Sequence, residues 1–370
     1  MTDAARQTGS ADATTAPARP VRVPLWDNAR WIAITLVVVG HAIEVPNRSD
    51  LAFGLYLAIY SFHMPLFAFI SGRFSHGGAL TSRETRGILT HIVLPLVIFQ
   101  CVWTLFAWWR LGVLQIDFIT PRWILWFLLA LALWRLTLPL FALMRHPFLV
   151  SVLVACVAGY SPGAGTLAAT SRTLVFLPFF VAGWCLHERG GLTTLLHVLS
   201  KWWVRCLAGV LVVLVTVLAV TRADLMRELM LRKWFQGEWN YARLGNEEWW
   251  AGFERAAVMA VSFVMIAAVL ALVPRRQTFF TPWGARTMNV YLLHLFPIVV
   301  ATDMGLISVD RDSVETIVGL VVIAIVWSAV LSTRAVDVVF GPFTHPRARW
   351  LLRDEDDAPP GTGRRSTRAG

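Results

Sequence analysis

The chain has 370 residues, of which 56% are apolar and only 15% charged, and its formal net charge is +10. Apolar runs of membrane-spanning length alternate with short charged clusters, a bilayer core about 30 Å thick needing roughly 20 mostly apolar residues as a helix. This excludes a soluble domain of any size, and it makes the positive balance a topology signal rather than a sign of nucleic-acid binding.

Residues 1–22, rich in Ala, Thr and Arg without an apolar core, read as a disordered cytoplasmic tail and not as a cleavable signal peptide. Ten apolar segments follow, at about 31–46, 51–72, 87–109, 122–144, 147–160, 173–188, 202–221, 252–273, 286–302 and 314–333. The expected fold is an all-α, polytopic transmembrane helix bundle of about ten spans, residues 23–340, in the plasma or inner membrane. Residues 341–370 form a second, mostly disordered cytoplasmic tail, running acidic and then basic with Pro and Gly. The cysteines (Cys101, Cys156, Cys185 and Cys206) lie in or beside apolar runs without metal-type spacing, so they read as packing residues and no metal site is expected.

Counting basic residues orients the bundle. Arg30, then Arg73, Arg83 and Arg86, then Arg145, then Arg189 and Lys201, then Arg275, Arg276 and Arg286 fall on one side. The short loops between them are poorer (Arg48, then Arg110 and Arg122, then Arg172, then Arg311 among four carboxylates), and the long loop at 222–250 is mixed. The positive-inside rule then puts both termini in the cytoplasm.

Ionisable groups at membrane depth are costly and are candidates for function. In the first span, Arg30 and His41 are eleven residues apart, close to three helical turns. They share a face about 16 Å apart along the axis, with Arg30 at the cytoplasmic interface. Glu44 lies one turn beyond His41, where it either orients the imidazole or marks the outer end of the span. The second span contains His63, Pro65 and Ser71, with His63 roughly 13 Å from the cytoplasmic side. The ninth carries Asn289, Tyr291 and His294, with His294 roughly 12 Å deep. Three histidines from three helices therefore share one slab of the membrane. The loop at 222–250 holds Trp234, Phe235, Trp239, Tyr241, Trp249 and Trp250, which fit either an interfacial aromatic belt or a platform for sugar rings.

The ordered set Trp26-Asp27-Asn28 before Arg30, Arg-x10-His ending at His41, Phe62-His63-Met64-Pro65-Leu66-Phe67 with Ser71-Gly72, Arg83-x-x-Arg86 before Leu94-Pro95, Leu125-Trp126-Phe127-Leu128 and Tyr291-Leu292-Leu293-His294 resembles the acyltransferase-3 family of membrane O-acyltransferases, in the branch like fucose 4-O-acetylases. The resemblance covers about residues 25–335. It implies transfer of an acetyl or other acyl group from cytoplasmic acyl-coenzyme A, a donor substrate and not a permanently bound cofactor, to a hydroxyl of an envelope glycan or glycolipid. By it, His41 is the essential histidine and Arg30 its partner.

Physical reasoning supplies the remaining roles. His41 can take the proton of an acceptor hydroxyl, or carry the acyl group itself, with Glu44 behind it. Arg30, Arg83 and Arg86 are candidates for the phosphates of coenzyme A, although the positive-inside rule calls for arginines there in any case. Asp27, His63, Ser71, Tyr291 and His294 are candidates for contact with substrate, and the last four for stabilising the thioester oxyanion. The competing readings are a transporter or flippase of an envelope intermediate, against which no paired halves are seen, and a non-catalytic scaffold, which gives no reason for Arg30 and His41 to share a face.

Overall fold

The computed structural model describes residues 23–46, 48–117, 119–161, 169–346 and 351–352. The tail at 1–22 and the end of the chain from 353 lie outside the described residues. Among the described residues, all regular structure is helical.

Helix α1 (Pro24–Ile43) opens with Pro24 in its first turn, where a missing N–H costs nothing, and with Asp27 near the positive end of the helix dipole. The second apolar segment forms two helices, α2 (Asp50–Tyr60) and α3 (His63–Arg73), broken at Ser61 and Phe62. Helix α4 (Ser82–Ile88) passes through a π turn at 89–93 into α5 (Leu94–Leu111). That turn lies just ahead of Pro95, which cannot bond back to the preceding turn. Then come α6 (Trp126–Ala142), α7 (Pro147–Ala158), α8 (Thr170–Glu188), α9 (Gly191–Ser200) and α10 (Trp202–Thr221). Two short helices, α11 (Ala223–Glu228) and α12 (Leu231–Gln236), precede α13 (Ala251–Leu272). The ninth apolar segment is again broken, into α14 (Thr287–Leu293) and α15 (Leu295–Asp303), before α16 (Val314–Leu331) and α17 (Arg334–Thr344).

All ten apolar segments are thus helical, two of them broken, and α9 is a helix where the sequence suggested only a connection. Six helical stretches are long and apolar enough to cross a membrane: α2–α3, α4–α5, the stretch ending in α6, α10, α13 and α16. Helices α7, α9 and α14–α15 are shorter apolar helices. Along α10 and α16 large apolar side chains face outward, the surface a bilayer covers. Helix α17 runs through residue 340 to Thr344, whose hydroxyl donates to Asn289 Oδ1 at 2.6 Å.

Helix α1 is the axis of the bundle, touching α2, α3, α14, α15 and α16. Helices α3 and α8 cross with their backbones in contact. A side chain at Gly72 would run into the Phe180 carbonyl, and one at Gly183 into the Phe69 carbonyl, so each glycine admits the other helix.

The two ends of α1 differ. Where it begins, which we call the near face, Asn28 is buried and ties α1 to the 274–281 stretch. Its side-chain amide donates to the carbonyls of Pro274 (2.8 Å) and Arg276 (3.1 Å), and its oxygen accepts from Thr281 at 2.7 Å. The backbone of Asp27 lies directly against Gly284. Where α1 ends, the far face, the loops after α1, α5, α10 and α15 meet through ion pairs: Arg227 with Asp50 at 2.6 Å, Arg48 with Asp310 at 3.6 Å, and Arg110 with Asp303.

Candidate active site

A cavity of about 590 Å³ opens from the far face into the bundle. Its inner wall is the last two turns of α1, with Val37, His41 and Glu44 on one face, closed by Tyr60, His63 and Tyr291. The three histidines that the sequence placed at one depth are neighbours. The rings of His41 and His294 are 5.5 Å apart and 32° from parallel. His63 lines the same cavity and packs edge-on against Tyr60 at 4.4 Å.

Both broken helices are built alike. Each carries a proline as its third residue, Pro65 in α3 and Pro297 in α15, and a histidine at the break. At each break the imidazole turns back onto backbone carbonyls of the preceding turn. His63 Nδ1–H donates to the carbonyl of Ile59 at 2.9 Å, and His294 Nδ1–H is shared between those of Val290 and Tyr291, both at 2.9 Å. A carbonyl only accepts, so the proton of each neutral ring is fixed on Nδ1 and Nε2 keeps a lone pair. Nε2 of His294 is fully buried and has no partner. Tyr291 spends its hydroxyl proton on the Ile124 carbonyl. As placed, His63 and Tyr291 thus offer lone pairs to the cavity, not the N–H or O–H that an oxyanion needs, and His294 lies behind the lining, next to the His41 ring.

His41 is held differently. Its Nδ1 lies 3.2 Å from Glu44 Oε2, so Nδ1–H donates to the carboxylate and Nε2 is the lone pair available to a ligand. The Glu44 carboxylate is in turn fixed by Arg232, whose Nη2 donates to Oε1 at 2.6 Å. Of the two readings of Glu44, the geometry fits orientation of the imidazole.

Arg232 arrives on α12, which docks against α2. Its guanidinium lies over the Tyr56 ring at 4.8 Å, and Gln236 Nε2 donates to the Tyr56 hydroxyl at 2.7 Å. Arg255, fully buried in α13, holds the same stretch from behind by donating to the carbonyls of Trp234 (3.2 Å) and Trp239 (3.3 Å). Neither arginine stood out in the sequence. Arg255 had a signal, an ionisable residue within an apolar segment. Arg232 had none, because its partner is 188 residues away.

The remaining sequence candidates lie apart from the cavity. Arg30 is at the near face, 3.8 Å from Asp27 and over the Phe74 ring at 4.4 Å. Asp27 is buried beneath it. Arg83 is exposed in the first turn of α4, and Arg86 stands one turn later. Ser71 lies in the last turns of α3, its carbonyl accepting from the Ser75 hydroxyl at 2.8 Å. The aromatic loop divides between both readings. Phe235 lines the cavity, Trp234 and Tyr241 are buried around Arg255, and Trp249 and Trp250 are exposed.

A nodulation protein, NolL, of Mesorhizobium japonicum is 40% identical to this chain over 90 residues, which are 22% of this chain and 24% of that protein. The match thus spans about a quarter of the relative's length. No solved structure matches the chain. Residues 24–333, which hold the histidine cluster, the cavity and the near-face arginine, match the family model described as an acyltransferase domain; the chain belongs to the acyltransferase-3 family.

Proposed function

We propose that the protein is a multi-pass O-acyltransferase of the cell membrane, moving an acetyl or other acyl group from acyl-coenzyme A to a hydroxyl of an envelope glycan or glycolipid. One observation carries the reading: an imidazole at the end of a cavity with Nδ1–H tied to a carboxylate and Nε2 presented to the ligand. That is the arrangement of a general base.

In this reading the donor approaches from the near face, where Arg30, with Arg83 and Arg86 further out, meets the phosphates of coenzyme A. The acceptor enters from the far face. His41 Nε2 takes the hydroxyl proton as the oxygen attacks the thioester carbonyl carbon. The new ester bond forms, the C–S bond breaks, and the departing thiolate recovers the proton from the imidazolium, which Glu44 stabilises meanwhile. The same lone pair serves an acyl-His41 route, in which the acyl group rests on Nε2 before the hydroxyl takes it. The fucose 4-O-acetylase-like character of the motifs favours a sugar hydroxyl as acceptor. The ten-span topology with both termini cytoplasmic, which sets the two approaches, is part of this reading.

The test compares envelope glycans and lipids by mass from cells with the gene, without it, and with His41→Ala. An acyl-sized loss from one species, the same in the deletion and in the variant, supports the reading and names the acceptor. An unchanged profile with a normally inserted His41→Ala protein overturns it.

A further inference from the structure

The mouth of the cavity carries more positive charge than its neighbours neutralise. Arg110, Arg172, Arg232 and Lys233 all line it. Arg110 pairs with Asp303, Arg172 with Glu238 at 2.8 Å, and Arg232 with Glu44 at 2.6 Å. Glu44 is shared, because it also accepts from His41. Lys233 stands in no ion pair among the described residues, its ammonium 4.4 Å from the centre of the Trp239 ring. Burial first, and then the Arg232 cation beside it, hold its ammonium below the usual lysine range. A cation kept partly desolvated beside other cations is stabilised by an incoming anion more than one in open solvent.

We propose that this mouth is a binding site for an anionic group of the acceptor, a phosphate or a carboxylate, received by Lys233 with Arg172 and Arg232. The site rests on the reading of the cavity as the place of acyl transfer. It sharpens that reading, because Arg232 touches Glu44 and Glu44 touches His41. An anion seated on Arg232 is therefore only one carboxylate away from the base, and the hydroxyl presented to His41 is one close to the charged group. Sugar phosphates, lipid-linked or free, and acidic sugars share this chemistry.

The test uses the full-length protein in nanodiscs, with inorganic pyrophosphate, glucuronate and glucose as probes and the shift in thermal unfolding as the readout. Saturable stabilisation by pyrophosphate assigns a phosphate-bearing acceptor, and by glucuronate an acidic sugar. In either case the affinity falls at least tenfold in Lys233→Gln and in Arg172→Gln, and stays within twofold in Arg30→Gln and His41→Ala. The proposal is overturned if neither anion stabilises more than glucose does, or if the stabilisation survives Lys233→Gln and disappears in Arg30→Gln. Because His41→Ala keeps the anion site, the two readings fail separately. Anion binding with undiminished acyl transfer by His41→Ala sinks the catalytic assignment alone, and loss of transfer without anion binding sinks this one alone.

Discussion

The two ends of α1 solve opposite problems with the same helix. At the near end Asn28 is buried, its amide donates to two carbonyls and its oxygen accepts from a neighbouring hydroxyl, and Gly284 lets the 281–285 turn lie directly on the backbone of Asp27. At the far end His41 and Glu44 face a cavity, and the group that satisfies Glu44 comes from a distant loop. Asn28 at the near end is satisfied by partners within the fold, whereas His41 at the far end keeps a lone pair facing the cavity. The contrast separates the part of α1 that holds the fold from the part proposed to do the chemistry.

The most direct way to break the comparison is at His41. His41→Ala removes the one imidazole among the described residues that a carboxylate orients toward the cavity. Acyl transfer to the acceptor should fall by about 10³-fold, within the usual range for a positioned general base. Purified protein in proteoliposomes with radiolabelled acetyl-coenzyme A reads this directly. Activity within tenfold of wild type would move the chemistry away from the far end. Next is Glu44→Gln. The amide can donate to Nδ1 and turn the ring to the tautomer with its proton on Nε2, which cannot act as a base. A loss of roughly 10²-fold in kcat with little change in KM is expected. Glu44→Asp should recover part of it, whereas a role confined to ending the helix would leave kcat unmoved by either change.

Arg30→Gln probes the near end for its one catalytic duty. If the arginine holds coenzyme A phosphate, KM for the donor rises about tenfold with kcat nearly unchanged, as the loss of one charge-assisted bond implies. A fall in kcat with an unchanged KM would place Arg30 in the transfer step instead, and would blur the division between the two ends.

Much of this was legible in the sequence because the signals were local. Apolar length marked ten expected spans; all ten segments are helical, and six helical stretches are long and apolar enough to cross a membrane. Counting residues from the charged ends put His41, His63 and His294 at one depth, and they meet there. The i,i+3 spacing put Glu44 on His41. What did not show was anything made between distant segments. Arg232 sits in a six-residue helix within a loop of mixed charge, with no periodicity to mark it. The breaks at Ser61–Phe62 and at His294 were hidden because proline alone does not say whether a helix kinks or stops, and they decide which ring nitrogen of each histidine is spent on the backbone. Spacing also made Arg30 and His41 equivalent members of one face, yet packing gives only His41 a cavity.

Asn28→Ala makes the sharpest test of the near end, since its effect on turnover should be the smallest. The substitution removes the donor to the part-buried carbonyls of Pro274 and Arg276 and one acceptor of the buried Thr281 hydroxyl, which keeps Thr278 as a partner. Leaving buried groups unsatisfied costs about 1–3 kcal/mol, so the half-life of the detergent-solubilised protein at elevated temperature should shorten clearly. The molecules that remain folded keep His41, Glu44, Arg232 and the cavity intact, and their transfer rate per active protein should stay within about twofold of wild type, because nothing in the far end touches Asn28. Were turnover instead to fall as far as in Glu44→Gln while stability held, the near end would be acting on the chemistry through α1, and the helix would have to be read as one device rather than two.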